Sequence, residues 1–214
     1  ELQALLLGEL DRLARAQYGP QPSFAAIVQL DSLRQRLIAA AKVHAAAVRE
    51  GWRIVAAEEK YEAKLDGMIL KARIDRIDRH LESGAIRILD YKTSEGGDSP
   101  LQTHFRPRSD ERWVDLQLPL YRYVYEQLHP QASHVSVGYF NLPKAVAKTG
   151  IVEWELRSKD GEDLYGSALA KAHEVVAGIR AGMFWPPTDK AISFDDFEPL
   201  FAGGEERIRE PGPT

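Results

Sequence analysis

Residues 68–93 read MILKARIDRIDRHLESGAIRILDYKT, and this stretch decides the fold. Apolar and polar residues alternate over 68–75, which is the period of a strand with one buried face. The segment 82–84, Glu-Ser-Gly, is typical of a turn. The apolar run at 85–92 predicts a second strand, and residues 52–65 predict a third strand before the pair. Three consecutive strands are therefore expected, joined at 82–84 by a hairpin.

The end of the later strand raises a question of charge. Asp90 and Lys92 share one face of that strand, because strand side chains repeat every two residues. Asp75 lies at the end of the neighbouring strand and can approach Asp90 from the side. Two carboxylates about 4 Å apart repel by roughly 4 kcal/mol at an effective dielectric near 20. A divalent cation between them reverses that sign, so we expect Mg²⁺ or Mn²⁺, with Lys92 orienting or helping to deprotonate a metal-bound water.

Helices are predicted around these strands. Residues 1–18 form a helix that Gly19-Pro20-Gln21-Pro22 stops, and a longer helix runs from Phe24 to Arg49 with Ser23 as its N-cap. Residues 93–112 predict a long mobile loop, 113–128 a helix containing Pro119 in or near its first turn, 133–142 and 150–157 strands, and 160–181 a last helix. This order predicts a mixed α/β sheet with helices packed against it.

Composition limits the function classes. The chain has 214 residues, 44% of them hydrophobic, enough for one compact domain. A net charge of −4 disfavours non-specific polyanion binding over the whole surface but permits a local basic groove. Without cysteine there is no disulfide, no thiolate zinc site and no iron–sulfur cluster. No apolar run approaches the ~20 residues of a membrane span and no signal-peptide pattern is present, so we expect a cytoplasmic protein with no membrane partner.

Three motifs together resemble the signature of the PD-(D/E)XK nucleases, in the RecB-like exonuclease branch. They are ARIDRID at 72–78, ILDYKT at 88–93 and LQLPLY at 116–121. Asp75 matches the first aspartate of the family pattern, Asp90 and Lys92 match its D-x-K pair, and Gln117 and Tyr121 match its last motif. The resemblance implies a restriction-endonuclease-like α/β fold and metal-dependent hydrolysis of DNA.

The same resemblance implies roles for further groups. His44, on the helix before the strands, is expected as a metal ligand beside Asp75 and Asp90, and the backbone carbonyl of Tyr91 is expected to complete the metal shell. Gln117 and Tyr121 would brace the site or touch DNA. The alternatives are a structural ion pair for the Asp75, Asp90 and Lys92 group, a buried core residue for His44, and ordinary packing for Tyr121.

Two departures from the family pattern stand out. Ala72 occupies the place of the usual glycine, a change that a strand should accept. Relatives often end with a cysteine cluster that holds an iron–sulfur centre, whereas this chain implies a cluster-free member. In its place we expect packing of Phe184, Trp185 and Phe194.

Several other charged residues have weaker expectations. Asp78 is expected to form a salt bridge with Arg76 or Arg79 rather than to bind metal. DNA phosphates are candidate partners of Lys71 and Arg73 and of the loop residues Arg106, Arg108 and Arg112, all of which are otherwise ordinary solvated surface. Two acidic residues, Glu58 and Glu59, could add a metal ligand.

We expect a single nuclease domain over 1–214, cut from a longer protein: an N-terminal helix and linker (1–22), a catalytic core (23–182) and a C-terminal extension (183–214). The expected partners are DNA and a helicase domain or subunit, in DNA recombination or repair. The rival interpretations are an inert DNA-binding or scaffolding module of a helicase–nuclease protein, and an endonuclease acting on branched DNA. The sequence leaves open exonuclease or endonuclease action, polarity, single or double strands, DNA or RNA, and oligomeric state.

Overall fold

A computed structural model describes residues 1–108, 112–132 and 134–183 of the chain. The helices and strands, numbered in chain order, are α1 (Leu2–Tyr18), α2 (Phe24–Arg49), β1 (Trp52–Leu65), β2 (Met68–His80), β3 (Ile86–Lys92), α3 (Pro100–His104), α4 (Gln117–Leu128), β4 (Val135–Asn141), β5 (Gly150–Trp154) and α5 (Tyr165–Arg180). A single 3₁₀ turn, Val146–Lys148, precedes β5.

The described strands form one sheet in the order β1-β2-β3-β4-β5. Neighbouring strands run antiparallel except β3 and β4, which are parallel. The connection between these two strands contains α3 and α4, as a parallel pair requires a long crossover. The predicted fold class, a mixed α/β sheet flanked by helices, is confirmed.

The hairpin between β1 and β2 turns through Asp66 and Gly67, both with positive φ. Such a two-residue turn matches the twist of the strands on either side. The strand β2 then runs to His80, five residues beyond the predicted alternation at 68–75. The sequence pattern hid this length because Arg76 and Asp78, which read as polar, are both buried and paired with each other.

The second helix follows its prediction closely. It spans Phe24–Arg49, and the Ser23 hydroxyl accepts a hydrogen bond from the Ala26 amide at 3.3 Å. This bond satisfies one of the four amides that a helix start leaves unpaired. Gly51 follows the helix with φ 97, a conformation that glycine adopts without a steric penalty.

The predicted mobile loop at 93–112 is wrong in part, because Pro100–His104 form the short helix α3. Proline at the start of a helix is favourable, since its missing N–H has no helical partner there. The next helix starts at Gln117 rather than at 113, because the Asp115 carboxylate accepts from the backbone N–H of Gln117 at 2.7 Å. Pro119 lies in the first turn of α4, as predicted.

The main hydrophobic core joins the sheet to α4. Its fully buried members include Ile77 and Ile88 of the sheet and Leu118 of the helix. The chain divides into two compact units, Glu1–Val176 and Ala177–Thr214. The expectation of a single domain with three segments remains a prediction. Among the described residues, no helix is both long enough and apolar enough to cross a bilayer. The expected packing of Phe184, Trp185 and Phe194 falls on residues outside the described ranges.

Candidate active site

The register of β2 and β3 sorts their charged residues onto two faces. Ile77 pairs with Ile88, and partners across an antiparallel pair point to the same side. Counting in steps of two from this pair places Asp75, Asp90 and Lys92 on one face, which we call the acidic-pair face. The same count places Arg76, Asp78 and Arg87 on the opposite face, which we call the ion-pair face.

Asp75 stands where the two strands separate. The last paired residues are Arg76 and Leu89, so the next amide of β3 on this edge has no partner in β2. The Asp75 carboxylate takes that place and accepts a hydrogen bond from the Tyr91 amide at 2.9 Å. One carboxylate oxygen is thereby fixed beside the residue that follows Asp90.

The Tyr91 carbonyl lies on this same edge by strand geometry. The Lys92 carbonyl accepts from the Leu142 amide at 2.7 Å, so residue 92 directs its backbone groups towards β4. Successive residues of a strand direct their N–H and C=O groups to opposite edges. The carbonyl of Tyr91 therefore shares the edge on which the Tyr91 amide meets Asp75.

Asp90 is a buried carboxylate that is only partly satisfied. Its side chain is 7% exposed, and burial raises its pKa, with the negative charge of Asp75 adding to the rise and Lys92 opposing it. Its Oδ1 accepts from the side-chain amide of Gln117 at 3.1 Å. Oδ2 lies 2.8 Å from Lys92 Nζ, an ion-pair distance, yet it has no partner with hydrogen-bond geometry.

Gln117 and Tyr121 hold Asp90 from α4. They are four residues apart and share a helix face. The Gln117 side-chain amide donates both to Asp90 and to the Tyr121 hydroxyl, the latter at 2.9 Å, and the hydroxyl donates to the Arg73 carbonyl at 2.9 Å. This chain of bonds ties Asp90 to the backbone of β2.

The donor set on the acidic-pair face fits Mg²⁺ or Mn²⁺. Two carboxylates and a backbone carbonyl are the oxygen ligands that these hard cations prefer. The pairing of charges supplies the observation for this fit: Asp90 is buried beside the negative charge of Asp75, and the Lys92 ammonium at 2.8 Å offsets only one of the two carboxylates. Within the described residues no three His, Cys, Asp or Glu side chains form a metal cluster. Mg²⁺ is commonly held by one or two carboxylates and retains several waters, so two are sufficient.

The structure does not bring His44 to these carboxylates. Its Nδ1 lies 3.4 Å from the guanidinium of Arg76, on the ion-pair face, and it joins no metal-binding group with Asp75 and Asp90. Burial lowers the pKa of His44, and the positive charge of Arg76 lowers it further. The physical reason for this departure is that His44 of α2 meets Arg76 on the ion-pair face, whereas Gln117 of α4 meets Asp90 on the acidic-pair face. We therefore leave His44 out of the candidate ligand set.

The ion-pair face is built on Asp78, which is fully buried. Arg76 binds it through two nitrogens at 2.7 and 2.8 Å, as predicted, whereas the alternative partner Arg79 is not used. Arg87, which the sequence reading did not include, binds the same carboxylate at 2.9 Å through Nε. Arg87 also meets Glu153 at 3.2 Å, so both guanidinium groups are paired.

The remaining charged candidates lie on the surface. Glu58 and Glu59 are exposed: Glu58 pairs with Arg73 at 2.8 Å and Glu59 accepts from the Tyr61 hydroxyl. Lys71 pairs with Glu62 at 3.2 Å. The loop arginines Arg106, Arg108 and Arg112 are exposed, and Arg112 pairs with Glu162 at 3.1 Å.

The sequence reading missed two buried polar residues beneath Lys92. Tyr139 of β4 and His104 of α3 are both fully buried and meet at 2.8 Å through the hydroxyl and Nε2. His104 lay in the segment predicted as a mobile loop. The signal that could have found it is the stretch PLQTHF at 100–105, with proline opening a helical turn and Leu101 and Phe105 on one side of it.

Comparison with known proteins agrees with this arrangement. The family model of the PD-(D/E)XK nuclease superfamily matches residues 1–191. Because the match covers most of the chain, the chain belongs to this superfamily, and its activity class is that of a hydrolase acting on nucleic acid. A search of curated proteins finds no match.

Solved structures give weaker likenesses. A protein from Eubacterium rectale described as "Putative exonuclease" aligns over 95% of this chain and 80% of its own, with 13% identity and a TM-score of 0.47. A second structure, that of SSO0001, aligns over 87% of this chain and 73% of its own, with 15% identity and a TM-score of 0.31.

Proposed function

We propose that this protein is a Mg²⁺- or Mn²⁺-dependent deoxyribonuclease of the RecB-like exonuclease type. The observation that carries the proposal is Asp90, a buried carboxylate that lies beside the charge of Asp75 with only one ammonium, that of Lys92 at 2.8 Å, to offset the two. A retired site has no physical reason to retain that cost. The superfamily match supports the reaction class, phosphodiester hydrolysis.

Each residue of the acidic-pair face has a role in this proposal. Asp75, Asp90 and the Tyr91 carbonyl would hold the cation, and Gln117 would keep Asp90 in position. A bound divalent cation would stabilise negative charge on the phosphate and lower the pKa of water. Lys92, whose side chain is 28% exposed, would orient the attacking water towards phosphorus.

The reaction adds water to phosphorus and breaks the bond to the leaving 3′-oxygen, which gives 5′-phosphate products. Lys92 lies beside Asp90 and is partly open to solvent, so it can reach both an incoming water and the substrate phosphate. A positioned proton-transfer or orienting group contributes about 10²- to 10⁴-fold to a rate. Lys92 is therefore the residue whose loss should remove activity without removing the carboxylates.

Contacts to substrate are proposed for the exposed basic residues. Arg106 and Arg108 are exposed, and Lys71 and Arg73 have exposed glutamate partners that phosphates could replace. Surface ion pairs contribute only about 0–1 kcal/mol, so exchanging them costs little. With a net charge of −4, binding would depend on such local groups and would weaken as salt rises.

The experiment is a digest of end-labelled linear DNA and of circular DNA, with Mg²⁺, Mn²⁺ or a chelator. We expect metal-dependent loss of the linear substrate and survival of the circle. Lys92→Ala should lose activity and retain its fold; equal activity in that variant would remove Lys92 from the mechanism. Cutting of the circle would indicate an endonuclease. No hydrolysis, together with no Mn²⁺-dependent rise in melting temperature, would favour the inert DNA-binding or scaffolding module.

The biological setting of the proposal is DNA recombination or repair in the cytoplasm, with a helicase domain or subunit as partner. The resemblance of the three sequence motifs to the RecB-like branch supports this setting. Co-purification with a helicase and increased processivity in its presence would test it.

A further inference from the structure

His104 occupies a dry position behind the acidic-pair face. Its Nδ1 lies 2.8 Å from the Asp115 backbone carbonyl, and its Nε2 lies 2.8 Å from the Tyr139 hydroxyl. A carbonyl can only accept, so Nδ1 carries the proton of the neutral ring and Nε2 accepts from tyrosine. Burial lowers the pKa of His104, which favours this neutral form. Both ring nitrogens are therefore satisfied.

One end of this arrangement supports Lys92. Tyr139 is the residue of β4 that pairs with Asp90 of β3, so its ring lies on the same face as Asp90 and Lys92. The Lys92 ammonium stands 4.9 Å from the centre of that ring, within cation–π range. The hydroxyl bond to His104 fixes the ring on which Lys92 rests.

The other end supports Asp90. The Asp115 backbone carbonyl accepts from His104, while the Asp115 carboxylate accepts from the backbone N–H of Gln117 at 2.7 Å. Gln117 in turn donates to Asp90 at 3.1 Å. Hydrogen bonds, joined by the covalent structure of Asp115 and Gln117, thus connect the Tyr139 hydroxyl through His104 and the start of α4 to Asp90.

A purely structural role would not need these groups. Leucine or phenylalanine would fill the same buried space without the cost of removing polar atoms from water. Fully satisfied polar networks, in contrast, fix side chains in one arrangement. A reactive site needs such fixation, because its groups must be held within roughly 0.5 Å of productive geometry.

We propose that His104 and Tyr139 are positioning residues of the nuclease site, which together hold Lys92 and Asp90 in their relative places. This inference rests on the proposed function for its role in hydrolysis. It assigns a role in the site to α3, which lies outside the three sequence motifs.

The test uses the whole 214-residue chain with three variants. Tyr139→Phe keeps the ring and removes the hydroxyl, and His104→Asn can keep a donor towards Asp115 while losing the contact with Tyr139. Ser136→Ala is the matched control, because Ser136 is also buried on β4 and its hydroxyl bonds Glu153 at 2.9 Å on the ion-pair face. Thermal unfolding of each variant measures the general cost of losing a buried hydrogen bond.

Two readouts decide the outcome. The first is the NMR shift of the Lys92 Cε protons, which a ring beneath them moves upfield in the metal-free protein. The second is kcat and KM on linear DNA with Mn²⁺. In Tyr139→Phe and His104→Asn we expect the Lys92 shift to move towards that of an exposed lysine. We expect kcat to fall about ten-fold, as for supporting residues of other metal sites, with KM within about two-fold. Ser136→Ala should change neither readout.

An unchanged Lys92 shift in both variants would overturn the proposal, as would a kcat loss no larger than that of Ser136→Ala at matched thermal stability. Failure of the proposed function looks different. If the wild-type chain hydrolyses no DNA, the nuclease assignment fails, whereas the Lys92 shift still decides whether His104 and Tyr139 hold that side chain.

Discussion

The two faces of the β2–β3 hairpin carry similar charges and treat them in opposite ways. On the ion-pair face, Asp78 is fully buried and both arginines beside it reach it within 3 Å. On the acidic-pair face, Asp90 is also buried, yet it lies beside the charge of a second carboxylate, Asp75, and only one ammonium, that of Lys92, pairs with it. On one face two arginines surround a single buried carboxylate, whereas on the other two carboxylates share a single ammonium, which leaves negative charge for a cation to offset.

This difference indicates that the ion-pair face contributes mainly to stability and the acidic-pair face mainly to function. Removing one partner of a buried, well-paired charge leaves the other uncompensated, which is strongly destabilising. Removing a buried charge whose pKa is raised relieves a cost instead, because the folded state disfavours the charged form. The two aspartates should therefore respond to the same substitution in opposite senses.

Asp90→Asn should give the largest effect on activity. Loss of the metal-binding charge removes several kcal/mol of transition-state stabilisation, or about 10³-fold in kcat/KM. The raised pKa of Asp90 means that its charged form costs folding free energy at neutral pH. We therefore expect urea unfolding in chelator to show no loss of stability. Activity within ten-fold of wild type, or clear destabilisation without metal, would contradict the account.

Asp78→Asn should give the largest effect on stability. Its two buried arginine partners would each lose a charged acceptor, at a cost of about 3–5 kcal/mol. At a temperature where the variant is still folded, kcat per folded molecule should stay near that of wild type. Urea denaturation with activity measured on the same samples checks this. A variant as stable as wild type would show that the ion-pair face is not what holds the hairpin.

Gln117→Leu should have a smaller effect that is confined to the acidic-pair face. It removes the amide that holds Asp90 and bonds Tyr121, and comparable supporting residues of metal sites are worth 10- to 100-fold, roughly. We expect weaker Mn²⁺ affinity and lower kcat. Tyr121→Phe serves as the control, because Gln117 keeps its bond to Asp90 in that variant. Equal losses in both would show that the contribution comes from the bonds of the Tyr121 hydroxyl rather than from the bond between Gln117 and Asp90.

The smallest expected effect is the pH dependence set by His44 on the ion-pair face. Burial and Arg76 lower its pKa, Asp78 opposes them, and Arg87 and Arg53 add to the lowering. A histidine with a lowered folded pKa binds protons more readily when unfolded, so stability falls as pH drops below the ordinary value of about 6.5. His44→Asn should flatten the profile of unfolding free energy between pH 7.5 and 5.5, roughly the range over which histidine titrates. An identical slope in the variant would contradict this.

Sequence alone predicted the hairpin and its acidic pair, because period-2 alternation and motif spacing are local signals. It also predicted the Asp78–Arg76 salt bridge, which spans only two residues. It did not find Arg87 as the second partner of Asp78, since that contact depends on the register between two strands. For the same reason it found neither the contact of His104 with Tyr139, 35 residues away, nor the face on which His44 lies.

The family resemblance raised His44 as a ligand, whereas the structure places its ring beside Arg76 on the ion-pair face. Helix stripes show which residues face the sheet but not which face of the sheet they meet. A sequence of this kind therefore predicts elements and same-strand neighbours well, whereas contacts between layers require the structure.

The most direct test of the central claim is a calorimetric titration of Mn²⁺ into the metal-free chain. We expect binding to the wild type, with a stabilisation of about 2.7 kcal/mol when the free metal is 100 times Kd. Asp75→Asn and Asp90→Asn should lose this binding, whereas His44→Asn should keep it. No binding to the wild type, or binding that survives both aspartate substitutions, would contradict the claim that these two carboxylates hold the cation.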